Sequence, residues 1–341
     1  MTISERIKLA RLNAGLSLQE VGDQLGLSKM AISKYETGAV VPRSGTLIAL
    51  GKVLGVPTDF FFRSAQVSIS PPVYRCRARL QKREMNRILG AVAEWLERYL
   101  AVEQLTGYET LLDLPTGPEY MVRTMEEIEN AASRVREAWD LGLDPIENVM
   151  DVLEQHGIKI GEIDASGDFD ALTLWYDDNC PVIVVNRTFP GDRQRYNLAH
   201  ELGHLVLKVE PGLDPERAAH RFAAAFLVPR EMAYRELGRK RKLLDYRELY
   251  LLKQKYGMSM RAWVYRAADL EIISMPAAQR HWRDMNRRGW RTVEPGEQFP
   301  PESPTRMELL LYRALTEQKI SESRFRELLG KGKAKAAESC V

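Results

Sequence analysis

The stretch "RQRYNLAHELGHLVLK", Arg193 to Lys208, decides how the rest of the chain reads. His200 and His204 stand four apart, so on a helix they share one face and can ligate one metal ion. Glu201 lies beside them, placed to act as a general base. Leu198, Ala199, Leu202, Leu205, Val206 and Leu207 give such a helix the apolar flanks it needs to be buried. Gly203 weakens a helix by about 1 kcal/mol against alanine, so its presence predicts close approach by something, another backbone being one candidate. A buried structural histidine pair is the plainer alternative.

A catalytic zinc takes a third protein ligand and keeps one position open. Glu216, in "DPERAAHRFAAAFLVPR" (214–230), is the best candidate. His220 lies four residues on, shares the face, and is the rival ligand. Asp192 and Asp214 are weaker rivals, each better suited to starting a helix. Ala218, Ala219, Ala223, Ala224 and Ala225 let this second helix pack closely on the first.

Strand signals occur only in "IKIGEI", "ALTLWY" and "PVIVVN", between residues 158 and 186. "ALTLWY" or "PVIVVN" could be a sheet edge that holds an extended peptide by main-chain hydrogen bonds. Asn186, Arg193 and Arg195 read as caps and surface ion pairs. Cys180 reads as a turn or strand residue. Helices are expected at about 124–139, 145–155, 192–208, 215–227, 230–238, 245–256 and 259–270. Residues 276–305 are Pro-rich and read as irregular, before two short helices and a fraying tail. The 245–270 pair, turning at Gly257, resembles a second helix-turn-helix and reads as packing on the lobe.

The N-terminal 63 residues read as five short helices. Ser17 and Glu20 form a capping box, Gly26 closes that helix, Ser28 caps the next and Gly38 ends it. The helix after Ser28 can enter a major groove with its N-terminal residues on base edges. Ser28, Lys29, Met30, Ser33, Lys34 and Arg43 are the candidate DNA contacts, while Ile32 and Tyr35 face the core. Residues 1–63 carry eight basic and five acidic side chains, a modest +3. A linker follows at 64–75, then a long helix from Arg75 with a basic start. That start, 75–87, and the "RHWRDMNRRGWR" stretch, 280–291, suit an acidic partner or a solvated charged face. Trp282 and Trp290 read as packed.

At 341 residues the chain exceeds one typical domain. Its 45% apolar content excludes global disorder, and a net charge of +2 leaves the whole chain silent about nucleic acid. Cys76, Cys180 and Cys340 lie far apart, so a disulfide scaffold is not expected and a reducing compartment is. The opening "MTISERIKLARLNAGLS" is charged and broken by Gly15, and no apolar run approaches a membrane span. A soluble, cytoplasmic protein is expected.

Ser28, Ile32, Ser33, Tyr35, Glu36, Gly38 and Pro42 resemble the pattern of the XRE (lambda-repressor/Cro-like) helix-turn-helix family over residues 3–62. That resemblance implies operator DNA as partner, with a homodimer to match two half-sites. The family often has glutamine where this chain has Leu18 and Met30, so bidentate base reading by glutamine is absent there. "RQRYNLAHELGHLVL" followed by "ERAAHRFAAAFLVP" resembles the ImmA/IrrE metallopeptidases, a zincin-like branch, over about residues 145–275. The family's stretch reads roughly E-x-x-A-N-x-F-A-A-x-L-L-M-P. It implies Glu216 as third ligand, Glu201 as base, zinc as cofactor and manganese as the alternative ion. His220 stands where the family has Asn, which assigns it to supporting the ligands, facing substrate, or ligating in Glu216's place.

The expected fold class is α+β and mainly helical. It comprises a five-helix lambda-repressor-like domain (1–63), a helical linker (64–144), a zincin-like lobe with a small sheet (145–275) and a helical C-terminal region (276–341). Three functions compete. One is a DNA-binding regulator whose zinc endopeptidase lobe cleaves a repressor- or antitoxin-like partner encoded nearby, in a stress or mobile-element response. The second is a repressor whose lobe has become a sensor with little proteolysis. The third is a protease whose helix-turn-helix only docks substrate. An intact Glu201 argues against the pure sensor.

Overall fold

The computed structural model describes residues 2–62, 69–70, 81–108, 110–177 and 179–330. The chain begins with helices α1 (Ile3–Asn13), α2 (Leu18–Leu25), α3 (Lys29–Glu36) and α4 (Ser44–Leu54). Capping boxes start α1 at Thr2/Glu5 and α2 at Ser17/Glu20, and Ser28 accepts from Ala31 N to start α3. Such side-chain caps satisfy amide donors that a helix start leaves unpaired. Gly26 closes α2 in the left-handed region at φ 66°. Gly22 matters as much: a Cβ there would lie 2.6 Å from Leu27 O, so only glycine lets the turn fold back onto α2. The fifth expected helix is a 3-10 turn, Thr58–Phe62, too short between Pro57 and its end for α-helical bonding. It drives Phe60 and Phe61 into the core of Ile7, Ala10, Val21, Ile32, Leu47 and Leu50.

After a two-residue strand β1 (Ile69–Ser70) comes helix α5 (Lys82–Thr106). The expected basic start (Arg75, Arg77, Arg79), Cys76, Cys340, the fraying tail and most of the 64–75 linker lie outside the described residues. The helix expected as a linker is a strut packed on three sides. On one side Arg6 is buried against Glu97 at 2.5 Å, Arg83 donates to Gly15 O, and Gly90 admits Asn13, whose Cα would lie 2.9 Å from a Cβ. On another, Ile88, Val92 and Leu96 meet Leu172, Leu174, Val182 and Val184. On the third, Val102 meets Leu310, Leu311, Phe325 and Leu328. Arg87 is paired with Glu84. Both described arginines of the basic stretch are therefore spent inside the molecule.

Strand β2 (Met121–Val122) precedes α6 (Met125–Ala138), which a Thr124/Glu127 capping box starts as expected. Helix α7 (Val149–Gln155) begins later than the expected 145. Arg195 holds the Ile146 and Glu147 carbonyls, which keeps that stretch out of the helix. Strands β3 (Lys159–Ile163), β4 (Ala171–Tyr176) and β5 (Cys180–Asn186) follow. The sheet order is β1-β4-β5-β3, with β5 parallel to β3 and antiparallel to β4. "PVIVVN" is thus central. β4 is paired on its other side only by Ser70 and Ile69 among the described residues.

Helix α8 (Gly191–Val206) is followed by strand β6 (Lys208–Val209), which runs parallel to β2. β1, β2 and β6 were not expected; at two residues each they leave no periodicity to read. Helices α9 (Pro215–Leu227), α10 (Arg230–Leu237), α11 (Tyr246–Tyr256) and α12 (Met260–Asp269) complete the lobe. The stretch expected to be irregular contains helix α13 (Met275–Arg287). Pro276 sits in its first turn, where a missing N–H costs nothing. Here His281 is buried and accepts from Leu244 N, Trp282 stacks on Tyr265, and Arg287 and Arg288 pair with Asp284. Helices α14 (Arg306–Thr316) and α15 (Glu322–Leu329) end the described chain.

Three buried carboxylates fasten helix starts across the fold. Glu302 accepts from Val149 N and Met150 N at 2.9 and 3.0 Å. Glu294 accepts from Met260 N and Arg261 N at 3.0 Å. Glu154 accepts from Thr305 N and Arg306 N at 3.1 Å. Anionic groups at helix N-termini meet unpaired amides and the positive dipole end. Burial nonetheless pushes Glu154 up from 4.5 to about 7. A raised carboxyl holds its proton in the native state after the unfolded chain has lost it. Its contribution is full below about 4.5 and fades as pH climbs to about 7. Glu154→Gln keeps a carbonyl acceptor and cannot ionise. Urea unfolding at about pH 5 and about pH 8 should show the wild type losing about 3 kcal/mol more than the variant across that range.

Candidate metal centre

The site is built by α8 lying directly on α9. Gly203 is the point of closest approach: a Cβ there would meet Phe222 Cδ1 at 3.1 Å and Ala219 Cα at 3.2 Å. This is the close approach the glycine predicts. Ala218, Ala219, Ala223, Ala224 and Ala225 are all buried along α9. Asp214 caps α9 by accepting from Glu216 N and Arg217 N, so it serves the helix rather than the site. Asp192, in the first turn of α8, is buried against Lys253 at 3.2 Å.

Close packing brings three donor side chains together. His200 Nε2 and His204 Nε2 are 3.1 Å apart. Glu216 places one carboxylate oxygen 3.4 Å from each nitrogen. Among the described residues these three form the one group of His, Cys, Asp or Glu whose donor atoms lie within 4.8 Å of one another. Two nitrogens each 2.0–2.1 Å from a tetrahedral zinc would be about 3.3 Å apart. The donor set and its spacing therefore fit such an ion. Burial lowers the His204 ring to about 4, and the hydrogen bond with His200 holds Glu216 at about 2. At neutral pH this leaves a neutral imidazole beside an ionised carboxylate, the protonation a metal requires.

Glu201 reaches the sheet. Its Oε2 accepts from Thr173 Oγ1 of β4 at 2.6 Å, and burial raises its pKa. Thr173 carries no local sequence signal, since the contact joins a strand to a helix 28 residues on. The His220 ring lies over His200, 4.3 Å between centroids, and beside Tyr196 at 5.9 Å. It stands outside the three-donor group.

The neighbouring polar residues have structural partners. Asn186 is buried and donates to the Ala165, Ser166 and Phe169 carbonyls, which folds the approach to β4. Arg193 pairs with Asp170 and lies over Phe189. Arg195 is buried rather than at the surface, where the sequence reading put it, and it pairs with Glu302. Cys180 begins β5. Gly257, between α11 and α12, has φ +61° and lies against Arg195, so this helix pair is packed into the lobe.

At the other end of the molecule, α3 buries only Ile32. Ser28, Lys29, Met30, Lys34 and Arg43 are exposed and Ser33 is half-buried. Met30 is 66% exposed, the most open apolar side chain of that helix. Glu36 is held by Arg11 at 2.5 and 2.9 Å, so this family position braces the domain.

Residues 7–61 match the helix-turn-helix family model, and residues 153–268 match the peptidase model described as the IrrE N-terminal-like domain. The chain joins an XRE-type helix-turn-helix to an IrrE-like peptidase domain. The donor group and Glu201 all fall within the IrrE-like domain. The chain is 41% identical over 59 residues to the SPbeta prophage-derived uncharacterized HTH-type transcriptional regulator YonR of Bacillus subtilis (strain 168). That match covers 17% of this chain and 55% of the relative. It is 35% identical over 63 residues to uncharacterized HTH-type transcriptional regulators of Sinorhizobium medicae (strain WSM419) and Rhizobium meliloti (strain 1021). Each of those matches covers 18% of this chain and 45% of the relative. The chain thus spans about half the length of the curated relatives it matches. No helix among the described residues is long and apolar enough to cross a membrane.

Elemental analysis of dialysed protein should find about one zinc per chain, retained by Glu201→Gln and lost with His200→Ala, His204→Ala or Glu216→Ala. Gly203→Ala should destabilise the fold by about 1–3 kcal/mol and weaken metal retention, because the added methyl forces α8 and α9 apart. Full metal retention by His204→Ala would contradict the assignment.

Proposed function

We propose that the chain is a DNA-binding regulator whose IrrE-like lobe is a zinc endopeptidase that cleaves one regulatory partner. In this reading residues 1–63 bind an operator and 145–275 hold the catalytic lobe. Between them, in the parts expected as linker (64–144) and C-terminal region (276–341), α5, α14 and α15 pack together. His200, His204 and Glu216 hold the ion. Bound zinc supplies Lewis acidity toward the scissile carbonyl. Manganese is the alternative ion.

The observation that carries the reading is Glu201, half-buried next to the donor group and hydrogen-bonded to Thr173 of β4. Its raised pKa suits a group that takes a proton from the attacking water and returns it to the leaving amine. Thr173 fixes the carboxylate's direction. Among the described residues β4 is paired on its outer side only at Trp175 and Tyr176, so an extended peptide along Ala171–Leu174 would gain main-chain hydrogen bonds and lie beside both. A lobe kept only as a sensor has no use for a carboxylate so placed. His220 is assigned to supporting His200 and facing substrate.

The substrate class we assign is a repressor- or antitoxin-like protein encoded nearby, cut in a stress or mobile-element response. The operator is read by α3, with Lys29, Lys34 and Arg43 near phosphates and Ser28, Met30 and Ser33 toward bases. The assembly on DNA is a homodimer.

Incubation of purified protein with the products of neighbouring genes should release discrete fragments of one of them. Glu201→Gln should lower that rate by at least about a hundredfold while keeping metal and DNA binding. Equal cleavage by the variant would rule out the mechanism. Lys29→Ala with Lys34→Ala should weaken operator binding and flatten its salt slope by about two. A gel shift unchanged across a salt series would rule out α3 as the DNA-facing helix.

A further inference from the structure

The basic stretch 280–291 is used differently from the basic start of α5. There Arg83 and Arg87 are taken up by partners within the fold. Here Arg280 and Arg283 are exposed on α13, and among the described residues neither has a carboxylate partner. The fold sets a second basic segment beside them. The loop after α10 carries Arg239, Lys240, Arg241 and Lys242. Arg241 N donates to Ile272 O at 2.7 Å and Leu244 N to His281 Nε2 at 3.2 Å, so the loop runs along the approach to α13 and its first turns. We propose that this joint face of the lobe binds the phosphate backbone of duplex DNA.

Helical spacing puts Arg280, Arg283, Asp284 and Arg287 on one strip of α13. Tyr246, just beyond the loop, donates to Asp284 at 2.8 Å, which turns that strip toward the loop. Ala277, Ala278, His281 and Met285 form the buried strip. Arg239, Lys240 and Lys242 are exposed, again with no carboxylate partner among the described residues. The Arg239 guanidinium rests 4.9 Å from the centre of the Tyr234 ring. A side chain held that way loses less freedom when it binds.

The charge is gathered rather than mixed. Residues 239–248 and 271–291 hold ten basic and four acidic side chains, a local +6 in a chain of +2. Three of the four acids are already used. Asp245 caps α11, Glu248 holds Arg241, and Asp284 holds Arg287 and Arg288. A surface built only for solubility intersperses both signs.

The free cations lie along a helix strip and a loop, so they do not converge on one point. Such a spread suits a duplex, which carries a negative charge about every 1.7 Å of its axis, better than a single phosphate. DNA is also the polyanion that the helix-turn-helix domain brings to this chain, and that domain has only +3 of its own. The inference rests on DNA as the proposed partner, though not on α3 as its reader. Contact at this face lays the metal lobe along the duplex.

The test uses the full chain and a short labelled duplex of arbitrary sequence, with binding followed by fluorescence anisotropy across a salt series. Lys240→Ala with Lys242→Ala, and Arg280→Ala with Arg283→Ala, should each weaken binding by about tenfold at low salt and lower the salt slope by about two. All four side chains are exposed, so the thermal midpoint should stay at the wild-type value. Lys29→Ala with Lys34→Ala reports on α3 separately. If that pair leaves duplex binding intact while the lobe pairs reduce it, α3 fails as the DNA-facing helix and this proposal stands. Two results would overturn it. In one, both lobe pairs bind the duplex with wild-type affinity and slope. In the other, they keep DNA binding but slow cleavage of the protein partner, which would make the face a docking site for an acidic protein.

Discussion

The contact between Gly203 on α8 and Ala219 with Phe222 on α9 sets the rest of the site. His200 and His204 are aligned by the helical repeat alone, but Glu216 belongs to a different helix. It comes within 3.4 Å of both rings because Gly203 contributes no side chain where α8 meets Ala219 and Phe222 of α9. The far end of α8 is held as firmly. Arg195 is buried against Glu302, and Asp192 against Lys253, so the helix cannot slide along its axis without unpairing buried charges. Breaking such a pair costs about 3–5 kcal/mol. The three donors are thus positioned by packing and buried ions, with no loop involved.

The same logic extends to the chain's last third. Glu294 and Glu302 lie in an irregular stretch, yet each closes the N-terminus of a helix in the lobe. Glu154 reciprocates by closing α14. Beneath the lobe, Glu129 is buried with Arg266 and Arg221, which joins α6 to α9 and α12. Helix α5 carries this framework to the N-terminal domain through Arg6–Glu97 and Gly90–Asn13. The domain that carries α3 is therefore braced by the helix that also supports the sheet of the metal lobe.

Much of this was legible where the cause is local. The capping boxes at Ser17 and Thr124 need only four residues, and His200 with His204 need only helical spacing. Gly203 announced a close approach, and the partner backbone is there. Glu216 was legible by pattern and family resemblance, since its pairing is between helices. Contacts that span the chain left no trace in it. Thr173 meets Glu201, and Glu302 meets Arg195 107 residues away, through geometry that only the packed fold supplies. Two errors came from weighting single residues. Residues 276–305 read as irregular for their prolines, although Pro276 sits in the first turn of α13. Pro145 read as a helix start although Arg195 holds the following carbonyls outside α7.

X-ray absorption at the zinc edge, on the purified full chain, tests the central claim most directly. The account predicts a first shell of two imidazole nitrogens at about 2.0–2.1 Å with the remaining ligands oxygen. A sulfur neighbour at about 2.3 Å, or a third imidazole in place of the Glu216 carboxylate, would contradict it.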